Sequence, residues 1–274
     1  MMNVDIDVVE DFGREWERFD QGNLSDTERQ HMFDGYFAPF PFEKLSPQAV
    51  GFDAGCGTGR WAVLVAPRVG HLHCVDPSSA LEVARRNLAP FTNCTFHRAT
   101  VDEMPFPDAS MDFGYSLGVL HHIPDTQAAM AACVRKLKIG APFLVYLYYA
   151  LDNRPSWFRA LWRASDAPRR VISRLPDGLK YVVTQAIAAF LYFPLARGAG
   201  VLERLGASVD GIPLSAYRTR SFYSMRTDAL DRFGTRLEHR FTRKQIQSMM
   251  EEAGLTEIKF SDRVPFWCAA GVRR

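Results

Sequence analysis

The residues whose spacing most suggests chemistry are three glycines at alternate positions after a short apolar run. Gly55, Gly57 and Gly59 follow Asp53, an acid that ends this run. Glycines so close together let a backbone approach a ligand, because any Cβ would block it. A helix that begins after the turn would present free N–H groups. Because Asp53 would repel a phosphate, the turn favours a ligand with a positive group and hydroxyls.

Polar residues stand at the ends of the next predicted strands as well. Runs typical of strands, at 49–52, 71–75, 94–99, 111–117 and 142–149, alternate with helical patterns at 60–68, 80–88 and 126–137. This alternation predicts a parallel sheet covered by helices. In such a sheet a ligand lies across the carboxyl ends of the strands. The polar residues at these ends are Asp53, Asp76, Thr100 with Asp102, and Ser116 with His121.

The composition is that of an ordinary globular protein. Of 274 residues, 47% are apolar and 23% are charged, and the net charge of +2 gives no reason to expect nucleic acid as a partner. The five cysteines lack CxxC spacing, which predicts a reducing, cytoplasmic compartment without disulfides and without a metal site. The acidic N-terminus lacks the apolar core of a signal peptide.

Three further segments surround this central region. Residues 1–48 are predicted to form a helical lead segment, in which Phe12, Trp16 and Phe19 share one helical face. The face either docks the helix on the domain or covers a ligand. Residues 151–240 are predicted to be an inserted helical cap that binds substrate, and residues 49–150 with 241–274 to be the sheet domain.

The predicted cap is rich in aromatic and basic residues. Between 152 and 180 there are seven basic residues and three acidic ones. This composition is typical of contact with a membrane surface, although arginines that face water would give the same pattern. The longest apolar stretch, 181–193, stops at Pro194 and is too short to span a bilayer.

The C-terminal part completes the predicted fold. A helix over 241–254 begins with a capping box of Thr242 and Gln245, and Gly254 ends it. Two strand-like runs, 255–260 and 265–272, are joined by a short connection, so the last strand should be antiparallel. The prediction is an α/β fold with a Rossmann-like seven-stranded sheet, an antiparallel last strand and an inserted helical cap.

Several of these stretches together resemble one family. The run 52–60, which reads FDAGCGTGR, resembles the first motif of class I S-adenosylmethionine-dependent methyltransferases, and Val75-Asp76-Pro77-Ser78 resembles their second. The stretches 104–112 and 116–125 resemble the segments on either side of their fourth strand. The closest similarity is to the small-molecule branch that includes the ubiquinone and menaquinone methyltransferases.

This resemblance implies S-adenosylmethionine as cofactor and assigns roles to several residues. The glycines would let the backbone approach the methionine part, Asp53 would lie near its amino group, and Asp76 would accept from both ribose hydroxyls. The family often has an acid for the adenine amino group where this chain has Thr100, so Val101 or Asp102 would serve instead. The implied cofactor-binding residues are Trp16, Asp53, Gly55, Cys56, Gly57, Gly59, Asp76, Pro77, Thr100, Val101, Asp102, Leu117 and His122.

Methyl transfer mainly requires alignment of the acceptor with the activated methyl group and exclusion of water. A hydroxyl or carbon acceptor must also lose a proton, for which histidine is suited near neutral pH. His121 is the candidate that faces the substrate and His122 the more structural one. Tyr148 and Tyr149, after the fifth strand, are also placed to reach the pocket, and Tyr149 is the second catalytic candidate.

The substrate is predicted to be a small molecule, anionic or of lipid or sugar type. Arginine forks match carboxylate or phosphate groups, and the candidates to bind the substrate are Arg218, Tyr223, Arg226 and Arg240. A solvated face is the alternative for these residues.

Other functions fit the motifs less well. A nicotinamide oxidoreductase would have GxGxxG rather than GxGxG after an acid. A nucleic-acid methyltransferase would have an Asn-Pro-Pro-Tyr-type or Pro-Cys motif, although tRNA modification stays open. A non-catalytic protein that binds S-adenosylmethionine or S-adenosylhomocysteine is the other alternative. The predicted function is methyl transfer to O, C or N of a small molecule.

Overall fold

The computed structural model describes residues 3–274, so the first two residues of the predicted lead segment lie outside it. The chain forms two compact units. The first contains the residues up to Gln21, 29–150 and 237–274, and the second contains 22–28 and 151–236. The sheet belongs to the first unit, and residues 237–240 belong with it.

Seven strands form one mixed sheet, which confirms the predicted fold class. Their order is β3-β2-β1-β4-β5-β7-β6. β7 is antiparallel to both of its neighbours, whereas β1 to β5 are mutually parallel. The strands are β1 (Val50–Ala54), β2 (His71–Val75), β3 (Cys94–His97), β4 (Phe113–Leu117), β5 (Pro142–Tyr146), β6 (Leu255–Phe260) and β7 (Cys268–Arg273).

The central strands pair phenylalanine rings with glycines. A Cβ at Gly114 of β4 would lie 2.4 Å from the ring of Phe52, and a Cβ at Gly51 of β1 would lie 2.4 Å from the ring of Phe113. Both rings are fully buried. These two glycines therefore make room for core side chains of the neighbouring strand.

The helices of the chain are bounded as follows: α1 (Ile6–Arg18), α2 (Asp26–Tyr36), α3 (Ala62–Val65), α4 (Ala80–Asn87), α5 (Thr126–Lys136), α6 (Ser156–Ile172), α7 (Asp177–Ile187), α8 (Phe193–Arg204), α9 (Phe222–Gly234) and α10 (Arg243–Glu252). The capping box predicted for α10 is present, since Gln245 N donates to Thr242 Oγ1 and Thr242 N donates to Gln245 Oε1. Phe241 lies before this helix and bridges to Tyr149.

The second unit differs from its prediction at Pro194. The apolar stretch does not stop there, because α7 continues through a π-helical segment, Ala188–Tyr192, into α8. Pro194 has no N–H to donate to the preceding turn, and it lies directly after the π-helical segment, where the hydrogen-bond pattern of the helix changes. The resulting helix, Asp177–Arg204, has 28 residues.

The core of the second unit is small and lies between α7–α8 and α9. Its buried side chains are Ile172, Ala188, Tyr192, Ala196, Met225, Ala229 and Phe233. Arg169 is buried as well, where it donates to Asp166 Oδ1 at 2.6 Å and to the carbonyl of Thr235 at 2.9 Å.

Candidate functional site

The glycine turn connects β1 to α3, and all three of its glycines have positive φ: +78° at Gly55, +52° at Gly57 and +75° at Gly59. A Cβ at Gly55 would lie 2.4 Å from Val119, and one at Gly59 would lie 3.0 Å from Leu88. Two of the glycines are thus required by backbone conformation and by the packing of this chain itself. A Cβ at Gly57 would have its nearest atom, Trp16 Nε1, at 3.6 Å, so this position is the more open one.

Several amides of the turn itself are bonded within the chain. The N–H groups of Gly55 and Cys56 donate to the carbonyl of Val75, and that of Gly59 donates to Cys56 O. The following helix, α3, is only four residues long. The turn therefore offers shape and a close backbone surface more than a row of N–H donors.

Asp76 joins the turn to the end of β2. Its Oδ2 accepts from Gly57 N at 2.8 Å, and its Oδ1 accepts from the amide and the hydroxyl of Ser78 at 2.9 and 2.6 Å. Burial raises the pKa of this carboxyl, and the bonds from Ser78 and Gly57 oppose the shift. Each carboxylate oxygen has two acceptor positions, so Oδ2 keeps one for a hydroxyl of a ligand.

Asp53 lies inside the carboxyl end of β1 and is 1% exposed. Its Oδ2 has no hydrogen-bond partner within the chain, and neither has the hydroxyl of Tyr115, its register neighbour on β4. Burial raises the pKa of Asp53 to about 8, the Tyr115 hydroxyl lowers it, and the charge of Asp76 adds to the rise. A buried carboxyl oxygen without a partner suits a ligand that brings a positive group.

No pattern in the sequence pointed to Tyr115. Its position opposite Asp53 follows from the β1–β4 register, Asp53 beside Tyr115, which a single sequence does not show. Ser116 is also structural, since its hydroxyl donates to the carbonyl of Ala54 at 2.8 Å and ties the ends of β4 and β1 together.

The bend after β3 holds the three residues considered for an adenine contact. Thr100 Oγ1 donates to Glu103 Oε2 at 3.0 Å, so its side chain is occupied within a short 3-10 turn, Val101–Glu103. Val101 is buried and Asp102 is exposed. Of the remaining candidates, Leu117 and Cys56 are buried at the ends of β4 and β1, and Pro77 is half-buried beside Asp76.

His121 and His122 lie in a 3-10 turn after β4 and have different environments. His121 is fully buried, and neither of its ring nitrogens has a hydrogen-bond partner. Burial holds its pKa well below the usual value, and the nearby charges of His122, Arg240 and His239 act in the same direction. His122 Nδ1 donates to the carbonyl of Leu237 at 2.7 Å, which fixes its tautomer.

The two tyrosines after β5 point to opposite sides. The ring of Tyr148 stacks on His121 with centroids 3.8 Å apart, whereas Tyr149 contacts Phe266 and Trp267 at 5.6 and 6.4 Å. Successive residues of an extended chain face opposite directions. The structure therefore brings Tyr148, and not Tyr149, together with the histidines.

A row of aromatic rings extends from Tyr148. The centroid distances are 6.0 Å from Tyr148 to Tyr146, 5.0 Å from Tyr146 to Tyr36, and 4.7 Å from Tyr36 to Trp61. We call these four side chains the aromatic row. They run from the histidines to the residue that follows the glycine turn.

Helix α1 lies over the same strand ends. Phe12 contacts the ring of His122 at 4.7 Å, and a Cβ at Gly13 would lie 2.7 Å from Ser79 Oγ. Trp16 lies near Gly57, and the guanidinium of Arg60 stands 5.2 Å from the Trp16 ring. The helix thus contacts the segments after β1, β2 and β4.

The four predicted substrate residues fall in different units. Arg240 belongs to the sheet unit, where it bonds to Glu238 at 2.7 Å and lies 5.0 Å from the Tyr148 ring. In the other unit, Arg218 forms a two-pronged pair with Glu203, and Arg226 donates to Gln185 Oε1 and to the Tyr181 hydroxyl. Tyr223 lies in the first turn of α9, where its carbonyl accepts from the Thr227 hydroxyl.

Comparisons with known proteins identify the family. Residues 52–145 match the model of a methyltransferase domain. A protein of Encephalitozoon cuniculi described as a methyltransferase is 31% identical over 188 residues, which are 66% of this chain and 78% of that protein. The chain belongs to the S-adenosylmethionine-dependent methyltransferases.

Two further relatives agree with this family. The ubiquinone biosynthesis O-methyltransferase of Hahella chejuensis is 30% identical over 51% of this chain, although the match spans only 59% of that relative. The structure of a SAM-dependent methyltransferase of Thermotoga maritima has a TM-score of 0.51, covers 96% of this chain and 100% of its own, and is 15% identical, which shows a shared fold. The predicted family and enzyme class are confirmed.

The residues of this methyltransferase fit the family's cofactor. The unpartnered Oδ2 of the buried Asp53 matches an amino group, the spare acceptor position of Asp76 matches a hydroxyl, and the open side of Gly57 allows close approach. Within residues 3–274, no three or more His, Cys, Asp and Glu side chains are grouped to hold a metal ion.

Proposed function

We propose that this methyltransferase binds S-adenosylmethionine at the carboxyl ends of β1, β2 and β4 and transfers its methyl group to a small-molecule acceptor. The observation that carries the proposal is Asp53, a fully buried carboxyl whose Oδ2 is without a partner beside a glycine turn. An ammonium group of the cofactor would satisfy it, while Asp76 accepts from the ribose. S-adenosylmethionine supplies a methyl group on a positive sulfur.

The chain's contribution to the reaction would be positioning and exclusion of water. Phe12 and Trp16 of α1 would cover the cofactor, and Tyr148 and His121 would border the methyl group. Both histidines are neutral at pH 7, since burial lowers their pKa values, that of His122 to about 4. Either would therefore act only as an acceptor of a proton.

The acceptor class follows from the aromatic row. The rings of Tyr36, Trp61, Tyr146 and Tyr148 lie side by side, and those of Tyr36 and Tyr148 are partly exposed, which favours an apolar or ring-bearing acceptor beside them. The ubiquinone O-methyltransferase among the relatives acts in a pathway to such a molecule, as its name says. The atom that receives the methyl group, O, C or N, stays open.

The test is a thermal-shift titration with S-adenosylhomocysteine, followed by a metabolite screen in its presence. If its concentration is about 100 times Kd, the free energy of unfolding rises by about 2.7 kcal/mol, which corresponds to a rise in Tm of roughly 5–10 °C. Asp76→Asn should abolish most of the shift, and Asp108→Asn, on an exposed turn, should not.

Molecules that add to the shift are then incubated with S-adenosylmethionine, and S-adenosylhomocysteine is measured. No thermal shift with S-adenosylhomocysteine would refute the proposal. A shift without product for every molecule that binds would favour the non-catalytic alternative.

A further inference from the structure

The helix Asp177–Arg204 has an outward face that is as apolar as its inward face. Inward, Thr184, Ala188, Tyr192 and Ala196 recur at every fourth residue and are buried in the core of the second unit. In a regular α-helix, side chains four residues apart rotate gradually around the helix axis. The π-helical turn at 188–192 compensates for this rotation, so these side chains stay on one face. The chain thus uses one face of this helix for its own core.

Outward, no polar side chain is exposed over 22 residues. From 181 to 202 every exposed position is apolar, glycine or proline, with Phe190 at 83% and Val182 at 62% exposure. The polar residues of this stretch point inward and are bonded: Arg226 bonds Tyr181 and Gln185, and Arg197 donates to the carbonyls of Arg218 and Arg220. The exposed positions are Val182, Ala186, Phe190, Leu191, Phe193, Pro194, Leu195, Gly198, Val201 and Leu202.

Helix α6 of the same unit has a similar exposed stripe. Trp157, Leu161, Ala164, Pro168 and Val171 are all exposed and recur at intervals of three or four residues. Exposed apolar surface of this extent marks an interaction site in a folded protein.

The exposed charges of these two helices are mostly positive. Between 156 and 204 the exposed charged residues are Arg163, Arg170, Arg174, Arg204 and one acid, Glu203, which pairs with Arg218. The other two acids of this range, Asp166 and Asp177, pair with basic neighbours on their own helices. Residues 151–236 contain fourteen Lys or Arg and seven Asp or Glu, whereas the whole chain has 33 and 31. The positive charge of the chain is therefore concentrated in residues 151–236.

We infer that the exposed face of Asp177–Arg204, with the exposed stripe of α6, docks on the surface of a bilayer that contains anionic lipids. Apolar side chains would enter the boundary between headgroups and acyl chains, and the arginines would contact lipid phosphates. By length and composition the helix is apolar enough to cross a membrane, and 28% of its apolar stretch is buried. We favour the surface over a span because its inward face, with the buried Lys180, belongs to the core of the unit.

This inference goes beyond the proposed function and does not depend on it. The partner is a lipid surface rather than a second copy of the chain, because a symmetric contact would bring the arginines of two copies together. Anionic lipid matches both features, the apolar face and its positive border.

The test is co-sedimentation of the full chain with vesicles. We expect binding to vesicles of phosphatidylcholine with phosphatidylglycerol, weaker binding to phosphatidylcholine alone, and a marked loss at high salt. The double variant Arg163→Gln, Arg174→Gln should weaken binding by about fivefold per arginine. The double variant Phe190→Gln, Leu191→Gln should weaken it by at least about tenfold, since two apolar side chains leave the interface.

Ile139→Gln is the matched control, because Ile139 is 80% exposed in the sheet unit. It should bind vesicles like the unsubstituted chain. Circular dichroism and Tm establish that each variant is folded, and light scattering gives the oligomeric state. Unchanged vesicle binding by folded Phe190→Gln, Leu191→Gln would overturn the inference. The inference would also be overturned if the unsubstituted chain were a dimer that does not bind vesicles and if this variant were a monomer. In that case the face would be an interface between two copies of the chain.

Discussion

At the scale of single residues, binding of the cofactor would change the protonation state of Asp53 from the neutral to the charged form. In the free protein its pKa of about 8 means that it is mostly protonated at pH 7. An adjacent ammonium group would favour the charged form and lower this pKa. Binding of S-adenosylhomocysteine should then release a proton.

We predict that release of about one proton accompanies binding at pH 7. Titration calorimetry in phosphate and in Tris measures it, since the two buffers differ in ionisation enthalpy. Asp53→Asn should remove the release, because the amide does not titrate, and should weaken binding. Asp108→Asn changes an exposed acid outside the predicted cofactor-binding residues; it is the control and should keep the release. Equal proton release from Asp53→Asn would show that another group titrates.

At the scale of elements, α1 owes its position to a glycine inside a helix. Glycine in a helix interior is unfavourable relative to alanine by roughly 0.5–1 kcal/mol. At Gly13 a Cβ would lie 2.7 Å from Ser79 Oγ and 3.3 Å from Ser79 N. The hydroxyl can turn away, but the backbone nitrogen at the start of α4 cannot, so α1 would have to shift.

Helix propensity alone would make a Gly→Ala substitution within a helix stabilising. We predict that Gly13→Ala does not raise the free energy of unfolding in this way. Gly198→Ala is the matched control, because Gly198 lies within α8 and a Cβ there meets nothing within 4 Å. Chemical denaturation should show a gain of about 1 kcal/mol for Gly198→Ala and a loss, or no gain, for Gly13→Ala. Gly13→Ala should also weaken binding of S-adenosylhomocysteine. Equal stabilisation by both would mean that α1 is not held against α4.

The elements also show which features the sequence could predict. Strands, capping boxes and the glycine turn depend on residues close in the chain, so periodicity and spacing identified them. The continuation of the helix through Pro194 depends on a π-helical turn, and the position of Tyr115 beside Asp53 depends on the register of β1 and β4. These features are set by packing between distant segments, which the sequence pattern does not contain.

At the scale of the whole molecule, burial makes stability depend on pH in two opposite ways. Asp53 has a raised folded pKa, so its contribution to stability is lost as the pH rises from about 4 to about 8. The two histidines have lowered folded pKa values, so their contribution is lost as the pH falls below about 6.5. Variants must therefore be compared with the unsubstituted chain at each pH.

His122 provides the clearest comparison, because burial lowers its pKa to about 4, and the positive charges of Arg240 and His239 also lower it while Leu237 and Glu238 oppose them. Between pH 6.5 and 4 the unfolded chain binds a proton there that the folded chain does not, so folding is disfavoured as the pH falls.

His122→Asn keeps an N–H for the Leu237 carbonyl and removes the titration. We predict that this variant loses about 2 kcal/mol less stability than the unsubstituted chain between pH 7 and 4.5, measured by urea denaturation. An unchanged profile for His122→Asn would mean that the pKa of His122 is the same in the folded and the unfolded chain.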